Sequence, residues 1–94
     1  MTTRQKQGYL EGDYRIFHLQ TPLTREVPFH YHDFHKIILF LGGAIDYVIE
    51  GRRWTLRPHD LVLVAAGQMH RPIAHDAKTP YQRLVIYVSP RFLD

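Results

Sequence analysis

Three histidines, His30, His32 and His70, hold the chemistry most plainly available to this 94-residue chain. They stand in the segments His30-Tyr31-His32 and Gly67-Gln68-Met69-His70. Residues two apart on a strand share a face, so His30 and His32 would project together, and a later strand could bring His70 beside them. Such a cluster admits three uses: a divalent metal held by neutral imidazoles, an organic ligand hydrogen-bonded in a metal-free pocket, or buried histidines that satisfy one another and the backbone. His35 has the opposite parity and joins the cluster only on an irregular strand. Lys36 has the parity of His32 and either faces the same pocket, where it would bind an anion, or begins its strand and snorkels to solvent. Tyr47, Trp54 and Tyr87 either line a pocket as apolar walls with polar tips or pack in an ordinary core. Arg71 either reaches a ligand carboxylate from beside His70 or lies at an exposed strand edge. His18 and His75 belong to the surface or to local hydrogen bonds.

The elements that must position these residues read as short strands separated by turns. Strands are expected at Tyr14 to Leu19, around Phe29 to His32, and at Lys36 to Leu41, Ala44 to Glu50, Arg53 to Arg57, Leu61 to Val64 and Gln82 to Val88. Pro22 and Pro28 separate the first two, because proline disfavours helix at the residue before it. Lys36 to Leu41 is apolar on both faces, as a covered central strand would be. Glu50-Gly51-Arg52 reads as a hairpin turn, Pro58-His59-Asp60 as a turn, and Ala65-Ala66-Gly67-Gln68 as the loop leading to His70. Ser89-Pro90 is a helix start, a serine cap followed by proline at the first helical position. With four residues after it, the chain is expected to be part of a longer protein.

Ninety-four residues make one domain with a modest core, and no apolar run reaches the roughly 20 residues of a membrane helix. The polar N-terminus Met1 to Gln7 has no signal-peptide core and reads as a frayed cytoplasmic start. The absence of cysteine excludes disulfides and thiolate metal sites. The net charge of +3 is spread among interleaved acids, without the clustered cations that phosphate binding needs, so this segment itself is not expected to contact DNA.

From Pro28 to about Pro90 the chain resembles the N-terminal cupin domain of bacterial transcription regulators of the arabinose-regulator (AraC) family. The resemblance rests on Phe29-His30-Tyr31-His32-Asp33-Phe34, Phe40-Leu41-Gly42, Tyr47-Val48-Ile49-Glu50-Gly51, Leu56 to Val64, and Ala66-Gly67-Gln68-Met69-His70-Arg71-Pro72. The cupin pattern has two histidines one residue apart, a glutamate, a glycine, and a later histidine after a Pro-x-Gly loop. His30, His32, Gly42, Gly67 and His70 match it. Lys36 stands in place of the glutamate, His59 in place of a turn glycine, and Ala65 in place of the loop proline. Left-handed backbone is tolerable for histidine. An ammonium at the glutamate position repels a cation, so no cofactor is expected, with a divalent metal on His30, His32 and His70 as the alternative.

The resemblance implies an all-β fold, a cupin or double-stranded β-helix forming a small jelly-roll-like barrel. It implies a flexible segment at 1–13, an effector-binding domain at 14–89, and at 90–94 the start of a helix leading to a C-terminal helix-turn-helix domain outside this chain. The expected role is effector sensing and dimerisation in a cytoplasmic transcription regulator, not catalysis. The small molecule would bind at His30, His32, Lys36, Tyr47, Trp54, His70 and Arg71. DNA would be reached only through the other domain, the expected partners being the effector and a second copy of the chain, with no membrane. A free-standing metal-dependent cupin enzyme, an isomerase or dioxygenase, is the alternative.

Overall fold

A computed structural model describes residues 6–93. Seven strands and one short helix follow in the order β1 (Tyr14–Leu19), β2 (His35–Gly42), β3 (Ile45–Ile49), β4 (Arg52–Thr55), β5 (Leu61–Val64), β6 (His70–Ala74), β7 (Gln82–Val88) and α1 (Pro90–Leu93). They form two antiparallel sheets, one ordered β1-β7-β2-β5 and the other β4-β3-β6. This is the all-β, jelly-roll-like architecture expected from the sequence.

Alternation along each strand decides what enters the space between the sheets. On β2, Ile38 lies opposite Val85 of β7 and Val62 of β5, and all three are buried. Phe40 and Tyr47 complete the centre of the core. Lys36 shares the parity of Ile38 and therefore also faces inward, flanked by Tyr87 and Val64. The expectation that both faces of β2 are covered holds on the inner face only. On the outer face, Ile37 and Leu39 are half-buried beside the exposed Leu63 and Leu61 of the edge strand β5.

Two turns set the register. Glu50 and Gly51 have φ of 47° and 82°, the paired positive values of a two-residue type I′ hairpin between β3 and β4. His59 sits at φ 76°, and Asp60 closes that turn by accepting the Arg57 N–H at 2.8 Å. At Gly43 the constraint is also steric: a Cβ there would meet the Pro80 carbonyl oxygen at 2.8 Å.

Two expectations change. The strand foreseen at Phe29 to His32 is reduced to isolated bridges, His30 to His70 and Tyr31 to Lys6, because Pro28 lacks a donor and the chain bends after Tyr31. The Ala65 to Gln68 loop leads to His70, which begins β6, and Pro72 is tolerated within that strand because β6 is the edge of its sheet. The hairpin arm expected at Arg53 to Arg57 lies at Arg52–Thr55. The Ser89 cap forms, its Oγ accepting the Arg91 N–H at 3.2 Å, while the expectations for Met1 to Gln5 and for Asp94 lie outside the described residues.

Candidate functional site

His30, His32 and His70 converge between the sheets. The backbone of His30 pairs with that of His70 in both directions, at 3.2 and 2.9 Å, which locks the two segments in register. Ring centroids lie 4.3 Å apart for His30 and His70, 4.9 Å for His32 and His70, and 5.0 Å for His30 and His32. All three side chains are buried, His70 completely. Aromatic rings wall them in, with Phe34 stacked on His32 at 4.6 Å and Tyr47 parallel to His70 at 6.2 Å.

Each imidazole is oriented by the same device. Nδ1 of His30 lies 2.8 Å from the Pro28 carbonyl, Nδ1 of His32 2.5 Å from that of Gln7, and Nδ1 of His70 2.9 Å from that of Gln68. A carbonyl only accepts, so each Nδ1 carries the proton and donates it. In the neutral ring Nε2 is then a bare lone pair, and Nε2 of His32 and of His70 is buried without a partner. Burial keeps the rings neutral against the raising effect of these hydrogen bonds. It lowers His32 to about 4 and His70 to about 3, with the nearby Lys36 ammonium adding to the effect, and it lowers His30 as well.

A cavity of about 230 Å³ adjoins the cluster, lined by His30, His32, Lys36, Tyr47, Arg83 and Tyr87 together with apolar side chains such as Val27, Ile38 and Val85. No carboxylate lines it. Burial, with Arg83 adding to it, lowers the Lys36 ammonium to about 8. Since one pKa unit corresponds to about 1.4 kcal/mol, holding this charge inside the barrel costs on the order of 3 kcal/mol. Arg83 is anchored by donating from Nη1 to the carbonyls of Thr21 (3.1 Å) and Tyr81 (2.6 Å).

The sequence candidates thus divide. His30, His32, His70, Lys36, Tyr47 and Tyr87 come together. Arg71 does not: alternation turns it away from His70, and it pairs with Glu26 at 3.1 Å and covers the Phe29 ring at 4.3 Å. Trp54 lies opposite Tyr47 but on the edge strand β4, half-exposed in a separate groove with Leu61 and Leu63. His35 turns away as its parity requires and accepts the Ala66 N–H at 3.0 Å. Two features went unforeseen. Arg83 lies on a strand apolar on both faces, so its parity carried no signal. Buried Asp46, held by Arg53 at 2.6 Å across the β3–β4 hairpin and by the sequence-distant His75 at 2.7 Å, forms a separate polar cluster.

Residues 14–94 match the AraC-like ligand binding domain. The chain belongs to that family. Solved structures similar to this AraC-like domain include cupins and enzymes. A DMSP lyase from Ruegeria pomeroyi is 25% identical with a TM-score of 0.70, the match covering 83% of this chain and 39% of the lyase, so the chain spans about two-fifths of that protein. A Cupin 2 conserved barrel domain protein from Salinispora arenicola has a TM-score of 0.70 at 15% identity, covering 90% of this chain and 71% of that one. A cupin protein from Bacteroides fragilis is 26% identical with a TM-score of 0.63, covering 90% and 72%. No curated protein matches the sequence. Among the described residues no helix is long and apolar enough to cross a membrane.

The lowered histidine values make a stability prediction for this AraC-like domain. Unfolded histidine takes up a proton near 6.5 whereas folded His32 and His70 do so only near 4 and 3, so the unfolded state binds more protons in between. The melting temperature should fall as pH drops from 6.5 toward 4, by on the order of 10 °C, and the fall should shrink in His70→Phe. Scanning calorimetry across that range checks it.

Proposed function

We propose that this AraC-like domain is a small-molecule sensor, not a catalyst, and that it passes its ligand state to a helix-turn-helix DNA-binding domain of the same cytoplasmic regulator. The supporting observation is the cavity itself: set between two sheets, walled by aromatic and aliphatic groups, and bordered by buried polar atoms without partners. Buried donors and acceptors cost about 1 to 3 kcal/mol each when unmet, so a ligand that meets them gains that energy.

The same geometry supplies a way to report occupancy. His32 donates to the carbonyl of Gln7, Gln7 donates from its backbone to Tyr31 at 2.9 Å, and Lys6 pairs with Asp33 at 2.6 Å. Gln7 also lines the cavity. A ligand that re-aims His32 therefore acts directly on the segment at Lys6 and Gln7. Shifting that segment between two arrangements requires only that the ligand favour one of them, about 1.4 kcal/mol for each tenfold change in population.

One observation favours a second reading, a metal-dependent cupin. The donor atoms of His30, His32 and His70 lie within 4.8 Å of one another, and backbone carbonyls fix the tautomer that presents Nε2. This donor set fits a divalent transition metal, which would act as a Lewis acid on a bound oxygen. Against a resident metal stand the missing carboxylate and Lys36 in its place, facing the same cavity.

Metal analysis of the purified, untagged chain separates the two readings: the sensor carries well under one equivalent and its melting is insensitive to a chelator, whereas stoichiometric metal with chelator-sensitive melting establishes the cupin metal centre. In parallel, the His30→Ala, His70→Ala double variant should remain folded by circular dichroism yet lose every small-molecule-induced rise in melting temperature that the parent shows. An unchanged rise would move the binding site elsewhere.

A further inference from the structure

The sensor reading leaves open what the ligand is, and the polar groups around the cavity restrict the answer. Two cationic side chains, Lys36 and Arg83, face it, and no aspartate or glutamate lines it. Among the described residues the ion pairs of the chain lie elsewhere, at Lys6, Arg53, Arg71, His75 and Arg91. Arg83 is held by two carbonyls and the Tyr81 ring, none of which neutralises it. Both are partly buried, and charge withdrawn from water is retained at a cost unless it is paired, so the missing partner is an anion. A planar carboxylate fits an ammonium beside a guanidinium.

The histidines demand the opposite polarity. With Nδ1 protonated and bound to backbone, Nε2 of His32 and His70 can only accept, and both are buried without a donor. The Tyr47 hydroxyl, also buried and unpartnered, can donate or accept. An occupant must therefore present an anionic acceptor to Lys36 and a hydroxyl donor to the His32 imidazole. The remaining wall is apolar, including Leu19, Leu23, Val27, Ile38 and Val85, and calls for a hydrocarbon body. The volume of about 230 Å³ gives room for roughly eight water-sized groups, which limits the ligand to a small molecule.

We infer that the cavity binds a compact hydroxycarboxylate, its carboxylate at Lys36 and its hydroxyl at Nε2 of His32, the unpartnered imidazole that lines it. This rests on the sensor reading above and adds the ligand class. Charge selects the acid over its amide, and the orphaned His32 imidazole selects the hydroxy acid over its deoxy analogue.

The test is calorimetric titration of the chelator-treated chain with meta-hydroxybenzoate and lactate, compared with benzoate, meta-hydroxybenzamide and a neutral pentose. At least one hydroxy acid should bind tenfold or more tightly than the analogue lacking either group. Lys36→Met should erase the preference for acid over amide while raising the melting temperature of the unliganded chain, and Lys36→Arg should retain the preference. Equal binding of amide and acid, or an acid preference that survives Lys36→Met, overturns the inference. Binding of the pentose without any acid overturns it while leaving the sensor intact. Binding of an acid only after zinc is added overturns it in favour of the metal centre, and no binding of either hydroxy acid overturns the inference while leaving the sensor to the test given for it above.

Discussion

The donation of each Nδ1 proton to a backbone carbonyl is the constraint on which the site depends. Pro28, Gln7 and Gln68 supply those carbonyls from three separate segments, so the tautomer of the cluster is set by the backbone path and not by the histidines themselves. Because each ring spends its one proton on the wall, its lone pair faces inward. Burial then prevents a second proton from binding, since an imidazolium in this interior would have to be desolvated beside Lys36. Neutrality, orientation and unmet acceptor capacity thus share one cause.

The fold serves this arrangement by bringing His70 to the start of an edge strand opposite a segment that is not a strand at all. Paired backbone bonds between His30 and His70 tie the two together, and Phe40 and Tyr47 belong to the core packed between the sheets. Lys36 enters the same space because it is in phase with Ile38, and its charge has no counterpart there. A barrel of this size could have filled that position with a hydrophobe at lower cost. Retaining an ammonium is a reason to read the cavity as a binding site and not as imperfect packing.

Period-two alternation and turn chemistry made much of this legible in the sequence. The strands at Tyr14 to Leu19, Leu61 to Val64 and Gln82 to Val88 stand where their apolar patterns put them, and His59 adopts the left-handed backbone that its turn requires. His30, His32 and His70 were identifiable because their spacing and the family resemblance agreed. What was not legible depends on three dimensions. Arg83 lies on a strand apolar on both faces, so nothing local told which side it takes. Trp54 is in phase with Tyr47 but sits on an edge strand, and phase does not reveal sheet order. Arg71 follows His70 and is turned away by the same alternation that placed the histidines. The carbonyl of Gln7, which orients His32, belongs to a segment whose sequence carries no sign of the role.

Nitrogen NMR of the histidine side chains, recorded from pH 8 to 5 on the metal-free chain, tests the central claim most directly. The account predicts that His32 and His70 show a protonated Nδ1 and an unprotonated Nε2 throughout this range, because their titration lies near 4 and 3. A proton on Nε2 of either ring, or titration of either near the ordinary value of about 6.5, would contradict it.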